Sequence, residues 1–248
     1  MTVLAGGASV IEGGEPTETE GSRRYRVPIS QAMGARDIAQ TISIYSPGVA
    51  PARRNPTGEE VLFVVHGEGS CYIDGHRYAL APGTAVFVPP GSSCHIDNTG
   101  VGNLTIVSVV CPEDEETEVG IEPAERKPND TAPFLTVRES DREPIVAGDR
   151  TFKFLVNQEV GASRVTQFIG VIPPGRVPMH HHTYEEAIYI IEGEGRVWTN
   201  DGTAEFSAGS SIYLPRGVSH SLENTGRADI RLLGVFHPSG SPDVSYSD

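Results

Sequence analysis

The sequence predicts an all-β protein built as two tandem jelly-roll-like barrels, and three observations carry that prediction. Short runs rich in Val, Ile, Tyr and Phe recur between turn residues, with no sustained helical period. Glycine (28 residues) and proline (19) are frequent enough to punctuate many short strands along the 248-residue chain. Most tellingly, the second half repeats the first. The stretch EEVLFVVHGEGSCYIDGHRYALAPGTAVFVPPGSSCHIDNTG, residues 59–100, lies without a gap over EEAIYIIEGEGRVWTNDGTAEFSAGSSIYLPRGVSHSLENTG, residues 185–226, at an offset of 126.

Taken in chain order, Gly34, Gln40 and Gly48 match Gly161, Gln167 and Gly175 at an offset of 127. Glu60, Gly67, Gly83, Pro89 and Asn98 then match Glu186, Gly193, Gly209, Pro215 and Asn224 at 126. The one-residue difference falls in the loop ahead of the paired glutamates. One copy runs from about residue 8 to Pro112 and the other from about Leu135 to Pro238. The acidic, proline-bearing stretch between them, PEDEETEVGIEPAERKPNDTAP, reads as an interdomain crossing. The expected domains are residues 1–122 and 123–248, with a loosely ordered tail SGSPDVSYSD. Within each copy, Asp74-Gly75 and Asp201-Gly202 are expected hairpin turns, where positive φ is easily taken. Gly83, Gly209 and the Pro-x-Gly turns separate the later strands. Antiparallel strands at this spacing suit a jelly roll in each half.

The segment PGRVPMHHHTYEEAIYIIEGEG, residues 174–195, carries the chemistry. Alternate residues of a strand share a face about 7 Å apart, so His180 and His182 point together and His181 points away. The same alternation puts Glu186 on one face with Ile188 and Ile190, and Glu185 on the other. His220, just past the turn PRGVSH, can add a ligand from a neighbouring strand. Three imidazoles and a carboxylate form a half-open N/O site for one divalent transition metal ion: Fe, Mn, Ni, Zn, Co or Cu. The plainer alternative is a chance polar loop, but mutually consistent spacings favour the metal.

These residues resemble the cupin motifs G(x)5HxH(x)3–4E(x)6G and G(x)5PxG(x)2H(x)3N. His180-x-His182, Glu186 and Gly193 fit the first, with Gly175 one residue closer to the histidines than the formula asks. Gly209, Pro215, Gly217, His220 and Asn224 fit the second in full. The resemblance spans both repeats. It implies a bicupin, two double-stranded β-helix barrels, with the metal on His180, His182, Glu186 and His220 of the C-terminal barrel.

The first copy departs from this pattern. Arg53 or Arg54 stands where His180 does, Asn55 or Pro56 where His182 does, and Cys94 replaces the later histidine. Arginine stays cationic and cannot ligate an ion, so no metal is expected there. Either an arginine pairs with Glu60 in place of the ion, or Arg53 or Arg54 grips an anionic ligand; the structural role is the expected one. Gln167 and Tyr184 are candidate substrate contacts, and Tyr189, Trp198, Tyr213 and Phe236 candidate pocket walls or core.

A formal charge of −14 argues against nucleic acid and against an anionic membrane surface. No apolar stretch reaches membrane-spanning length, and the N-terminus lacks a basic, apolar leader. Three cysteines, all in the first half, make no disulfide framework, so a cytoplasmic setting is expected. The expected partner is a small-molecule substrate, with self-association left open. The expected function is that of a metal-dependent enzyme of the dioxygenase or oxidoreductase type. The alternatives are a hydrolase resembling the ureidoglycine aminohydrolases, which carry their metal in the C-terminal barrel, and a non-catalytic ligand-binding bicupin. Oxalate decarboxylases are further relatives, but usually keep two complete metal sites.

Overall fold

The computed structural model describes residues 1–113 and 117–243. Strands dominate, joined by turns and five single-turn 3-10 helices among the described residues. No helix is long and apolar enough to cross a membrane. Part of the interdomain crossing, residues 114–116, and half of the tail, residues 244–248, lie outside the described residues.

Each half forms two facing antiparallel sheets. In the first half a seven-stranded sheet runs in the order Thr136–Arg138, Thr84–Val88, Glu59–His66, Leu104–Cys111, Ala39–Tyr45, Arg23–Ile29 and Glu18–Glu20. In the second half an eight-stranded sheet runs Thr2–Val3, Ser9–Ile11, Ser211–Leu214, Glu185–Glu192, Ile230–His237, Thr166–Ile172, Arg150–Val156 and Ile145–Ala147. The halves have exchanged their first strands. Ser9–Ile11 pairs with Ser211–Tyr213, and Thr136–Arg138 pairs with Thr84–Val86. Each exchanged strand covers a sheet edge that would otherwise expose unpaired backbone groups.

Alternation along the strands sorts side chains between two environments. In Glu185–Glu192, Ile188 and Ile190 join the core inside the second barrel, while Ala187 and Tyr189 join the core that runs through the seam into the first barrel. In Ile230–His237, Leu232 and Phe236 face the barrel, and Leu233 and Val235 the seam. The paired glutamates follow the same rule, so one carboxylate of each pair enters the seam. Glu59 accepts hydrogen bonds from the backbone N–H of Ser163 (3.0 Å) and Arg164 (2.8 Å) and from the Ser163 hydroxyl (2.6 Å). Its repeat mate Glu185 accepts from the backbone N–H of Arg36 and Asp37, both at 3.0 Å, and from the Tyr213 hydroxyl at 2.8 Å. The Arg216 guanidinium lies 3.4 Å from Glu185 and 2.8 Å from Asp37 of the other half.

The motif asparagines are structural ties. Asn224 donates to the carbonyls of Ile172 and Ala228 and accepts from the N–H of Gly226. Asn98 makes the matching bonds to Tyr45, Gly102 and Gly100. Of the two expected hairpin turns, Asp74-Gly75 takes positive φ at both residues (48° and 86°). The second turn falls one residue earlier than expected, on Asn200-Asp201, because Gly202 already pairs with Thr199. Neither Asn200 nor Asp201 takes positive φ, so the Asp-Gly signal there is coincidental.

Glu59→Ala leaves buried seam donors unpaired far from the histidines. It should lower unfolding free energy by about 1–3 kcal/mol, read from urea denaturation, with metal content unchanged. An unchanged midpoint and slope would remove the carboxylate from the account of the seam.

Candidate metal centre

The three histidines of the sequence prediction meet in the second barrel. Backbone bonds run both ways between His180 and His220, at 2.9 and 2.8 Å, and set the two side chains beside each other. His182 follows two residues on, and its carbonyl accepts from the N–H of Gly217 in the loop leading to His220 (2.8 Å). One ring nitrogen from each of the three lies within 4.8 Å of the others, and all three side chains are buried. His181 is outside the group, as alternation requires.

The local chemistry suits ligation. Nδ1 of His180 lies 2.8 Å from the Pro178 carbonyl, and Nδ1 of His220 lies 2.8 Å from that of Val218. A carbonyl only accepts, so each Nδ1 carries the proton and Nε2 keeps its lone pair. Burial lowers the pKa of His180 and, helped by His180 next to it, takes that of His220 down to about 3. Both imidazoles are therefore neutral, the ligating form, near pH 7. This triad could hold a metal ion.

Glu186 lines the same cavity but is not part of the closely spaced group. Burial raises its carboxyl to about 8, an effect Arg150 partly opposes. The cavity is small, about 50 Å3, space for roughly three or four water molecules. Phe152, Phe168, Leu222, Leu232 and Phe236 give it apolar walls. A larger cavity of about 560 Å3 adjoins it, sharing Arg150 and His180.

The remaining candidates fall elsewhere. Tyr184 does not line the cavity. Its ring stacks on His182 (centroids 4.8 Å apart) and its hydroxyl donates to the Ser241 carbonyl at 2.6 Å, so it backs a ligand candidate. Gln167 faces the seam, opposite to Phe168, and neither amide atom has a partner among the described residues. Its repeat mate Gln40 accepts from Ser211 Oγ at 2.5 Å, but the position matching Ser211 in the first half is Ala85. Of the aromatic candidates, Phe236 lines the cavity, Tyr189 and Tyr213 pack in the seam, and Trp198 binds Glu223 through Nε1. Arg150, Phe152 and Phe168 were missed. They belong to no motif, and only extension of the repeat upstream could have flagged Arg150, which falls on Arg23 at the offset of 127.

In the first barrel Arg53 lies opposite Cys94 as His180 lies opposite His220, which fixes the one-residue gap. Arg53 takes the place of His180 and Asn55 that of His182. The Arg53 guanidinium sits 2.6 Å from Glu60, and Asn55 Nδ2 donates to the same carboxylate at 3.1 Å. A fixed cation thus stands at the position where the second barrel has His180. Arg54 is partly exposed and pairs with Glu118 at 3.1 Å. Among the described residues no second group of three ligand candidates forms in this barrel.

Residues 42–110 and 168–236 each match the Cupin domain family, so the chain belongs to that family and is a bicupin. Among curated relatives, the oxalate-binding protein of Thermotoga maritima is 34% identical over 92 residues, covering 36% of this chain and 76% of that protein. Protein SchB of Streptomyces halstedii is 31% identical over 91 residues, 36% of this chain and 66% of its own length. Among solved structures, an oxalate decarboxylase of Bacillus subtilis superposes with a TM-score of 0.76 at 17% identity, over 95% of this chain and 78% of that one. A putative glyoxylate-induced protein from Pseudomonas aeruginosa gives 0.74 at 21% identity, over 95% and 90%. At these identities the structural likenesses establish the fold.

The raised pKa of Glu186 has a measurable consequence in metal-free protein. The folded state keeps the carboxyl neutral to about 8, whereas the unfolded group ionises near its ordinary 4.5. Its contribution is therefore whole below about 4.5 and is lost as pH rises towards 8. In chelator, Glu186→Gln should gain several degrees of Tm over the parent at pH 8 and little at pH 5, by thermal unfolding. A pH-independent difference would contradict the buried neutral carboxyl.

Proposed function

We propose that this bicupin acts on a small molecule through a divalent transition metal ion in its C-terminal barrel, with dioxygenase-type or other oxidoreductase chemistry. His180, His182 and His220 would hold the ion, with Glu186 on the same cavity wall as the fourth ligand. The observation that carries the proposal is the gathering of three buried imidazoles, two of them fixed as Nδ1–H tautomers by backbone carbonyls. Such an ion supplies Lewis acidity and, where redox-active, electron transfer between substrate and dioxygen.

The chain's own residues supply the rest. The carbonyls of Pro178 and Val218 orient the rings, so little rearrangement accompanies ligation. Phe152, Phe168 and Phe236 keep bulk water from the pocket and strengthen its electrostatics. The small inner cavity is continued by the larger one that shares Arg150 and His180. A binding role is the second reading, favoured by the 34% identical relative described as oxalate-binding.

Protein purified without added metal should contain a stoichiometric transition metal by elemental analysis, and His182→Ala should lose it with the fold intact by circular dichroism. Stoichiometric metal retained in that variant would refute the ligand assignment. An oxygen-consumption screen over phenols, diketones and small acids then separates the chemistries. Oxygen uptake supports the oxygenase, ammonia release from ureides the hydrolase, and tight binding without turnover the binder.

A further inference from the structure

We infer that Arg150 is the anion-recognition residue of the C-terminal pocket, and that the molecule it selects is a small carboxylate. The inference rests on the metal-centred reading above and names its substrate class. Arg150 lines both the inner cavity and the larger one beside it, so a ligand in either meets this residue. It forms no hydrogen bond or close ion pair with any described residue; burial disfavours its charge, and the more distant carboxyls of Glu186 and Asp149 only partly offset that.

The repeat supplies an internal control. Arg23 occupies the matching place in the first barrel, with the same strand partners: Glu20 lies opposite Arg23, as Ala147 lies opposite Arg150. Arg23 is fully engaged there. It reaches the Glu20 carboxylate at 3.2 Å and the Ser43 hydroxyl at 3.0 Å. In the second barrel those two positions are Ala147 and Gly170, so the arginine remains while its carboxylate and its hydroxyl are both gone. The first barrel carries the arginine's anion in its own sequence. In the second barrel no described carboxylate is hydrogen-bonded to the arginine, and that role falls to a molecule from outside.

Chemistry and size then narrow the ligand. A guanidinium matches a carboxylate in two parallel hydrogen bonds. The apolar walls offer no competing acceptor except Glu186, which the metal-centred reading commits to the ion. An anion held between Arg150 and an ion on the histidines would be neutralised from both sides. The inner cavity, about 50 Å3, favours a small acid.

The test is calorimetric titration of Co(II)-loaded protein with oxalate and with oxamide, its neutral counterpart of similar size. The parent should bind oxalate and not oxamide. Arg150→Gln should weaken oxalate at least thirtyfold while Co(II) affinity, titrated separately by its visible absorption, changes less than threefold. Ala147→Glu rebuilds the carboxylate that engages Arg23, and should weaken oxalate similarly although the arginine is still present. Unchanged oxalate binding in both variants, or equal binding of oxamide by the parent, would overturn the assignment and leave the metal site standing. If the parent binds neither oxalate, malonate, glycolate nor formate, the carboxylate class is wrong. Failure of the parent to bind Co(II) would instead sink the metal reading itself.

Discussion

Two consecutive glutamates at the head of one strand cannot face the same way, and the molecule depends on that constraint. In each half the first carboxylate enters the seam and caps two backbone N–H groups of the other half, while the second enters its own barrel. Seam and site are thus set by a single peptide unit in each strand. The seam around Glu185 has additions that the Glu59 side lacks: the Tyr213 hydroxyl and the Arg216–Asp37 pair, where the first half has Phe87 and Pro90. These reinforce the loop that leads to His220.

The two barrel interiors show the same framework answering opposite electrostatic problems. In the first, Glu60 is matched by a guanidinium that the chain itself provides, and the carboxylate is satisfied on both oxygens. In the second, the corresponding carboxyl lies among imidazoles and phenyl rings with no hydrogen-bonded cation among the described residues, and burial raises it against the pull of the more distant Arg150. An ion on the histidines would restore there the pairing that Arg53 gives permanently in the first barrel. The substitutions that distinguish the halves are therefore coordinated: histidine to arginine, histidine to asparagine and histidine to cysteine all surround one unchanged glutamate.

Much of this was legible in the sequence because it is local. Strand alternation separates His180 and His182 from His181, and Glu186 from Glu185, without reference to the rest of the chain. The repeat gave the tandem barrels and located the departure at Arg53, though only strand pairing with Cys94 fixed which residue replaces which. What escaped is what depends on contacts between distant segments. Gln167 looked like a pocket residue, yet its face of the strand meets the seam. The exchange of first strands has no periodic signature. Asp201-Gly202 carries a turn signal that strand register overrides by one residue. Arg150 was silent because a lone arginine in an edge hairpin is unremarkable until its counterpart's partners are known.

The exchange of first strands bears on how such a chain arose. Two separate modules that each lent an arm to the other would form a closed, twofold pair with no free edge at the exchange sites. Fusing their genes then needs only a tether between arms already interlaced, and the crossing segment can vary freely in length and composition. Once joined, the halves can no longer change partners, so one is free to lose its histidines while the other keeps them. A lasting division of labour between two copies of one barrel follows from that entanglement.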